Sequence, residues 1–182
     1  MAAPYFIATT DFGVRPYRIP NLEESTDFED YMIAKEEEIC RQLFGFETWD
    51  LIKDALDTSG ALDPEIEGLR DGADYTYLET NYHFYGMKDL LIPCIYSEWL
   101  KDTFYKGTNI ALGINKKTDF NNISPAFVIV STWNIFIDKA GHADNYFNSL
   151  WGYMKSEETY FDLWDEDALN YWRPGRKNDW DI

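Results

Sequence analysis

The hydrophobic and polar positions switch between a helical and a strand-like period, and the switch points divide the chain into elements. Apolar residues at helical spacing predict a first helix that begins at Thr26, where Thr26 and Glu29 form a capping-box pattern, and stops at Gly45. A second, short helix is predicted from about Glu47 to Leu56. The "DTSGALDPE" stretch that follows is predicted to be a loop.

A tyrosine-rich stretch in the middle of the chain alternates with a period of two. Tyr75 and Tyr77 alternate before a polar turn at residues 79–81, and Tyr82 and Phe84 alternate after it. This pattern predicts a short β-hairpin.

Two long apolar stretches predict the main helices. The first, residues 87–105, leaves little polar face, so we expect it to be central and buried, with Pro93 in its first turn or at a kink. The second runs from Pro125 to about residue 140 and is flanked by the cap Ser124 and the stop Gly141. Because it is apolar nearly all round, its own fold or another chain must cover it. The residues expected on one side of it are Phe127, Val130, Asn134 and Ile137.

An alternating stretch at residues 108–120, between these two helices, predicts a strand-like arm with a polar turn. We interpret this arm either as an inter-subunit contact or as an internal hairpin that covers its own core. A last helix is predicted at residues 143–155. The candidate interface residues of the arm are Ile110, Leu112, Ile114, Lys116 and Lys117.

Both ends of the chain are predicted to be extended. Prolines oppose helix in residues 1–26, which form either an edge strand on their own subunit or an arm on a neighbour. The acidic, aromatic tail at residues 156–182 has few aliphatic residues, so we expect it to be ordered by contact, either with a partner or with its own bundle. The apolar anchors of the N-terminal arm are Tyr5, Ile7, Val14 and Ile19. The candidate contact residues of the tail are Trp164, Tyr171, Trp172, Arg173 and Trp180.

These elements together predict a mainly α fold. We expect a helical bundle of four to five helices with one or two short β-hairpins and extended N- and C-terminal arms. The predicted regions are the arm 1–26, the helical domain 27–155 with its hairpin arm at 108–120, and the tail 156–182.

The net charge and the two cysteines argue against several kinds of function and location. A formal net charge of −17 over 182 residues argues against general nucleic-acid binding and against binding to anionic membranes. No secretory signal or membrane-length apolar run is recognised. Cys40 and Cys94 lie in helical patterns and are predicted to be buried free thiols in a reducing compartment.

Sequence motifs for catalysis or cofactor binding are not found. The chain has no phosphate-binding or dinucleotide-binding glycine motif, and its histidines, His83 and His142, lack metal-ligand spacing. "KEEEIC" and "WDEDAL" are interpreted as solvated faces. We therefore expect no enzyme activity, no cofactor and no metal.

Several segments occur in a characteristic order: "FIATTD", a helix ending "LFG", "LRDGADYTY", "YGMKDLLIPCIYSEWL" and "TNIALGINKKTDFNNISPAFVIVSTWNIFID". In this order they resemble a family of small virion proteins from tailed phages of Bacteroidetes-type hosts, and the resemblance covers roughly Tyr5 to Met154. In plan they are similar to head–tail connector (adaptor) proteins. The acidic, aromatic tail departs from that plan.

The resemblance implies a structural protein located in the virion and made in the host bacterial cytoplasm. It implies a homo-oligomeric ring of about twelve copies, closed by rotation. The implied partners are the portal protein on one side and a tail or second neck-ring protein on the other, with DNA only passing through the lumen. The competing expectations are another neck or tail protein, or a small acidic cytosolic binding or inhibitor module.

Overall fold

The computed structural model describes residues 5–13, 15–19, 26–58, 62–105, 125–141, 147–156 and 175–178. The fold is mainly helical with one antiparallel hairpin, which confirms the predicted fold class. A short 3-10 turn at Thr9–Phe12 precedes the first helix. The main elements are α1 (Thr26–Phe44), α2 (Phe46–Asp57), α3 (Pro64–Asp71), β1 (Ala73–Tyr77), β2 (Thr80–Phe84), α4 (Met87–Tyr105), α5 (Pro125–Ala140) and α6 (Leu150–Met154).

Several helix boundaries agree with their sequence signals. Helix α1 begins at Thr26 and ends before Gly45, whose φ of 77° is a left-handed conformation that glycine adopts without a Cβ clash. Helix α5 ends before Gly141, at φ 83°. Pro93 lies inside α4, beyond its first turn, and removes one backbone hydrogen bond there.

Two helix predictions are wrong. The "LDPE" end of the predicted loop begins α3, with Pro64 at a first-turn position where its missing N–H costs nothing. The last helix begins at Leu150, because Ser149 caps it and residues 147–149, which were predicted to be helical, form a turn with Asn148 at φ 50°. The earlier part of that predicted helix, up to residue 146, lies outside the described residues. The Ser149 hydroxyl accepts a hydrogen bond from the Gly152 N–H at 3.1 Å.

The hairpin has a two-residue turn, one step earlier than predicted. Leu78 and Glu79 both adopt positive φ, at 48° and 62°, as a tight hairpin between right-twisted strands requires. Tyr75 pairs with Tyr82 across the strands. The hairpin is flanked by Gly72 and Gly86, where a Cβ would lie 2.6 Å from the Phe84 carbonyl oxygen or 2.8 Å from that of Arg70. The two backbone segments that flank the hairpin therefore lie too close together for any residue with a Cβ.

The core is centred on α4, which packs most extensively against α5 and also contacts α1 and α3. Helix α4 buries Leu91, Cys94 and Ile95 completely or nearly so, which confirms that it is central. The neighbouring helices add aromatic rings, and Phe28 of α1 meets Trp99 edge-on at 5.0 Å. Edge-on aromatic pairs contribute beyond their buried area.

The N-terminal segment, residues 5–13 and 15–19, packs into this core and is not a free arm. Phe12 is completely buried and meets Phe28 edge-on at 5.0 Å, and Phe6, Ile7 and Ile19 are also buried. An ion pair of 2.7 Å between Asp11 and Lys88 joins the segment to α4. Of the two alternatives predicted for the N-terminal arm, these residues adopt the first, because they pack on their own chain. They do so as irregular structure with a 3-10 turn and not as an edge strand. Val14 lies outside the described residues.

Candidate interaction surfaces

All ten predicted interface residues lie outside the described part of the chain. The arm residues fall between the end of α4 at Tyr105 and the start of α5 at Pro125, and the tail residues fall within 157–174 and 179–182. The undescribed set is Ile110, Leu112, Ile114, Lys116, Lys117, Trp164, Tyr171, Trp172, Arg173 and Trp180. Their role as contacts stays a prediction.

Helix α5 presents a partly apolar outer stripe. Phe127 is 54% exposed and Ile135 is 37% exposed, with the half-buried Ser131 between them at helical spacing. The buried face of the helix is formed by Ile129, Val130, Trp133, Phe136 and Ile137. Of the residues predicted to share one side of the helix, Val130 and Ile137 are buried and Asn134 is half-buried, whereas Phe127 faces outward on the helix that follows the predicted arm.

The hairpin carries further large side chains on both of its faces, Tyr82 with Phe147 on one and His83 with Tyr85 on the other, with Leu78 in the turn; together they are called the hairpin surface. Phe147 is 59% exposed and meets the Tyr82 ring at 5.3 Å, and Tyr85 is 56% exposed beside the His83 ring. The side-chain oxygen of Asn148 accepts a hydrogen bond from the backbone N–H of His83 at 2.9 Å. Large apolar side chains near solvent are typical of contact surfaces.

A third surface, the α5 docking site, holds residues 175–178 against the bundle. The Asn134 side chain accepts the backbone N–H of Lys177 at 2.8 Å and donates to the Lys177 carbonyl at 2.9 Å. Its amide thus satisfies both backbone polar groups of one residue, as a neighbouring strand would. The Trp133 indole N–H donates to the Gly175 carbonyl at 2.9 Å.

Two charged side chains of the docked segment also contact the bundle. The Lys177 ammonium lies 3.8 Å from the centre of the Trp133 ring and 3.8 Å from a Glu98 carboxylate oxygen. The Arg176 guanidinium pairs with Asp138. For residues 175–178, the tail is therefore folded back on its own bundle.

A buried carboxylate holds the N-terminal segment. Glu36 is 2% exposed and accepts the backbone N–H groups of Tyr5 at 2.9 Å and Phe6 at 2.7 Å. Burial raises the pKa of Glu36 more than these N–H groups lower it. The interpretation of "KEEEIC" as a solvated face is wrong at this position, although Glu38 is exposed and pairs with Lys35.

The cysteines and histidines were the other candidates for chemistry in the sequence. Cys40 and Cys94 are buried free thiols, as predicted, and burial raises the pKa of each well above its usual value. His83 lies 2.7 Å from Asp74 through Nδ1 on the exposed hairpin. No group of three or more potential metal ligands is found within the described ranges. His142 lies outside them.

Comparisons with known proteins return no relative. No protein-family model, no curated protein and no solved structure matches this chain. Among the helices that the structure describes, none has the length and apolarity needed to cross a membrane.

The backbone contacts made by Asn134 and Glu36 were not predicted from the sequence. Asn134 is an amide within the apolar stretch "FVIVSTWNIFI", and a polar residue in such a stretch signals a specific hydrogen-bond partner. Glu36 had no such signal, because "EEE" offers three equivalent candidates and only the packing of the N-terminal segment distinguishes them.

Proposed function

We propose that this chain is a structural virion protein, a head–tail connector (adaptor) that forms a ring between the portal and the tail. The first support is the resemblance of its ordered sequence segments to those of small tailed-phage virion proteins. The single observation that supports it most directly is the outward Phe127 on α5, at 54% exposure, on the helix that follows the predicted arm.

The apolar surfaces suit a ring because identical neighbours cover each other in a heterologous contact. In the proposed ring, the arm of one copy lays Ile110, Leu112 and Ile114 along a neighbour, by strand addition or groove filling. The stripe of Phe127 and Ile135 and the hairpin surface are the described apolar regions that such a neighbour can cover.

Charge supports the same arrangement. Helix α2 places Glu47, Asp50, Asp54 and Asp57 on its exposed side, and Lys53 neutralises part of this charge by pairing with Asp50 at 2.8 Å. A neighbour's Lys116 and Lys117 are complementary to an acidic face of this kind. A channel wall with excess negative charge also lets DNA pass without binding to it.

The test compares two exposed phenylalanines. Phe127→Asp on α5 and Phe46→Asp on α2 place the same charge at exposed positions, Phe46 being 67% exposed. Phe46 lies on the acidic helix, where an added carboxylate keeps the face complementary to a neighbour's lysines, so this variant controls for charge alone. Each variant is mixed with a portal protein sought among the products of the neighbouring genes, and ring formation is measured by electron microscopy. We expect Phe127→Asp to abolish rings and Phe46→Asp to retain them.

Failure of the unmodified chain to bind that portal protein, or its absence from purified particles, would contradict the connector proposal. A monomer in solution alone is not decisive, because the portal can template assembly. Binding to a nucleic-acid-binding protein in competition with DNA, without any particle association, would favour the acidic inhibitor module instead.

A further inference from the structure

The α5 docking site recognises an extended peptide mainly through its backbone. Three hydrogen bonds, two at Asn134 and one from the Trp133 indole, join it to main-chain atoms of Gly175 and Lys177. Main-chain recognition of an extended segment, with pockets for selected side chains, is how strand-addition sites bind peptides. Here the side chains that take part are those of Lys177 and Arg176.

The docked segment contributes little to the core. Gly175, Arg176 and Asn178 are exposed, Lys177 is half-buried, and none carries an apolar side chain. Its departure therefore opens no apolar cavity, unlike departure of the N-terminal segment with the completely buried Phe12. The interactions that hold it are polar and re-form whenever an identical segment takes its place.

The length of the connection does not restrict the segment to its own bundle. Residues 157–174 separate Ser156 from Gly175 and reach at most about 60 Å when extended. A compact chain of 182 residues has a radius of gyration of only about 16 Å. The docking sites of adjacent copies are therefore within reach.

We infer that, in the assembled state, the α5 docking site of one copy binds residues 175–178 of a second copy. Exchange of an identical element between protomers is a low-cost route to association, because the same hydrogen bonds and ion pairs that form within one chain also form between two chains. A neighbour held alongside supplies the segment at high effective concentration. The inference rests on the proposed ring, which places the copies side by side.

The test uses full-length chains and a short bis-maleimide cross-linker. One preparation carries Asp138→Cys and heavy isotopes, and the other carries Arg176→Cys; Cys40 and Cys94 are buried, which protects them from the reagent. The substitutions remove one exposed ion pair, of a kind that contributes little. A double variant, Asp138→Cys with Arg176→Cys in one chain, reports docking within a chain.

Mixed single variants, assembled on the portal protein, are expected to give a heavy–light link between positions 138 and 176 by mass spectrometry. Asn134→Ala in both chains is expected to lower the yield of this heavy–light link severalfold. Ser131→Ala is the matched control, since the Ser131 hydroxyl donates to the Val128 carbonyl within α5, and it is expected to leave the yield unchanged.

The outcomes separate this inference from the proposed function. Rings with links only inside the double variant would overturn exchange and leave the connector proposal standing. Heavy–light links in a chain that never binds the portal protein would support exchange and contradict the connector. Links within single chains alone, without rings, would overturn both.

Discussion

Glu36 and Asn134 each bind the backbone of one described end segment, but the two segments differ in how deeply they are buried. Glu36 accepts two backbone N–H groups from a segment that buries Phe6, Ile7 and Phe12. Asn134 both donates to and accepts from a segment that buries no apolar side chain. A carboxylate accepts hydrogen bonds only, whereas an amide pairs with both backbone groups.

This difference separates a structural segment from a docked one. The N-terminal segment completes the core, so its release exposes aromatic surface to water. The C-terminal segment adds polar interactions at the surface, where water competes for the same groups. The first is expected to stay in place in every state of the protein, and the second to be exchangeable.

The largest effect is expected from Phe12→Ala. Removing a completely buried ring that packs against Phe28 should lower the free energy of unfolding by about 3–5 kcal/mol, measured by urea denaturation. Phe46→Ala, at a 67% exposed ring, is the control and should change it by no more than about 0.5 kcal/mol. Equal effects of the two variants would show that the N-terminal segment is not part of the core.

A smaller effect is expected from Glu36→Gln. The glutamine keeps the size of the side chain but retains one acceptor oxygen for two N–H groups, so a buried donor loses its partner at about 1–3 kcal/mol. Hydrogen exchange at the Phe6 amide should become faster as the global free energy of unfolding falls. Glu38→Gln is the matched control at an exposed neighbour, and a loss as large there would contradict a specific role of Glu36.

The stability difference between the unmodified chain and Glu36→Gln should depend on pH. Because burial raises the pKa of Glu36 in the folded state, the folded chain binds the proton more tightly than the unfolded one. The stability of the unmodified chain relative to Glu36→Gln should therefore rise as pH falls from 7 through the raised pKa. It should level off below the ordinary glutamate pKa of about 4.3.

Urea denaturation of both chains across this pH range measures the difference. A difference that shrinks on acidification would mean that the N–H groups of the N-terminal segment outweigh desolvation at Glu36. The matching difference for Asn134→Ala should lack this pH dependence, because the amide does not titrate.

The smallest global effect is expected from Asn134→Ala. Two half-exposed hydrogen bonds are removed where water can replace them, so the free energy of unfolding should fall by about 1 kcal/mol or less. Hydrogen exchange at the Lys177 amide should nevertheless rise strongly, while core amides of α4 stay protected. A global loss as large as that of Glu36→Gln would remove the distinction between the two chain ends.

Elements with strong local signals were predictable. Helix α4 has both predicted bounds, and α5 begins at Pro125 and stops before Gly141, because proline and glycine restrict the backbone whatever surrounds them. Helix α3 was missed because its "DPE" start is also typical of a turn. Helix α6 was overextended because Phe147 continues the apolar spacing while Asn148 leaves the helical conformation.

By itself, the sequence determined the mainly helical fold, the tyrosine-rich hairpin and the burial of α4, because periodicity and turn residues act within a few positions of the chain. Only the tertiary structure decided that Glu36 of three consecutive glutamates is buried, that Phe127 faces outward and that Asn134 holds Lys177. Those outcomes depend on which distant segment packs against each helix face. Such pairings join residues 30 to 43 positions apart, beyond the range of any local pattern.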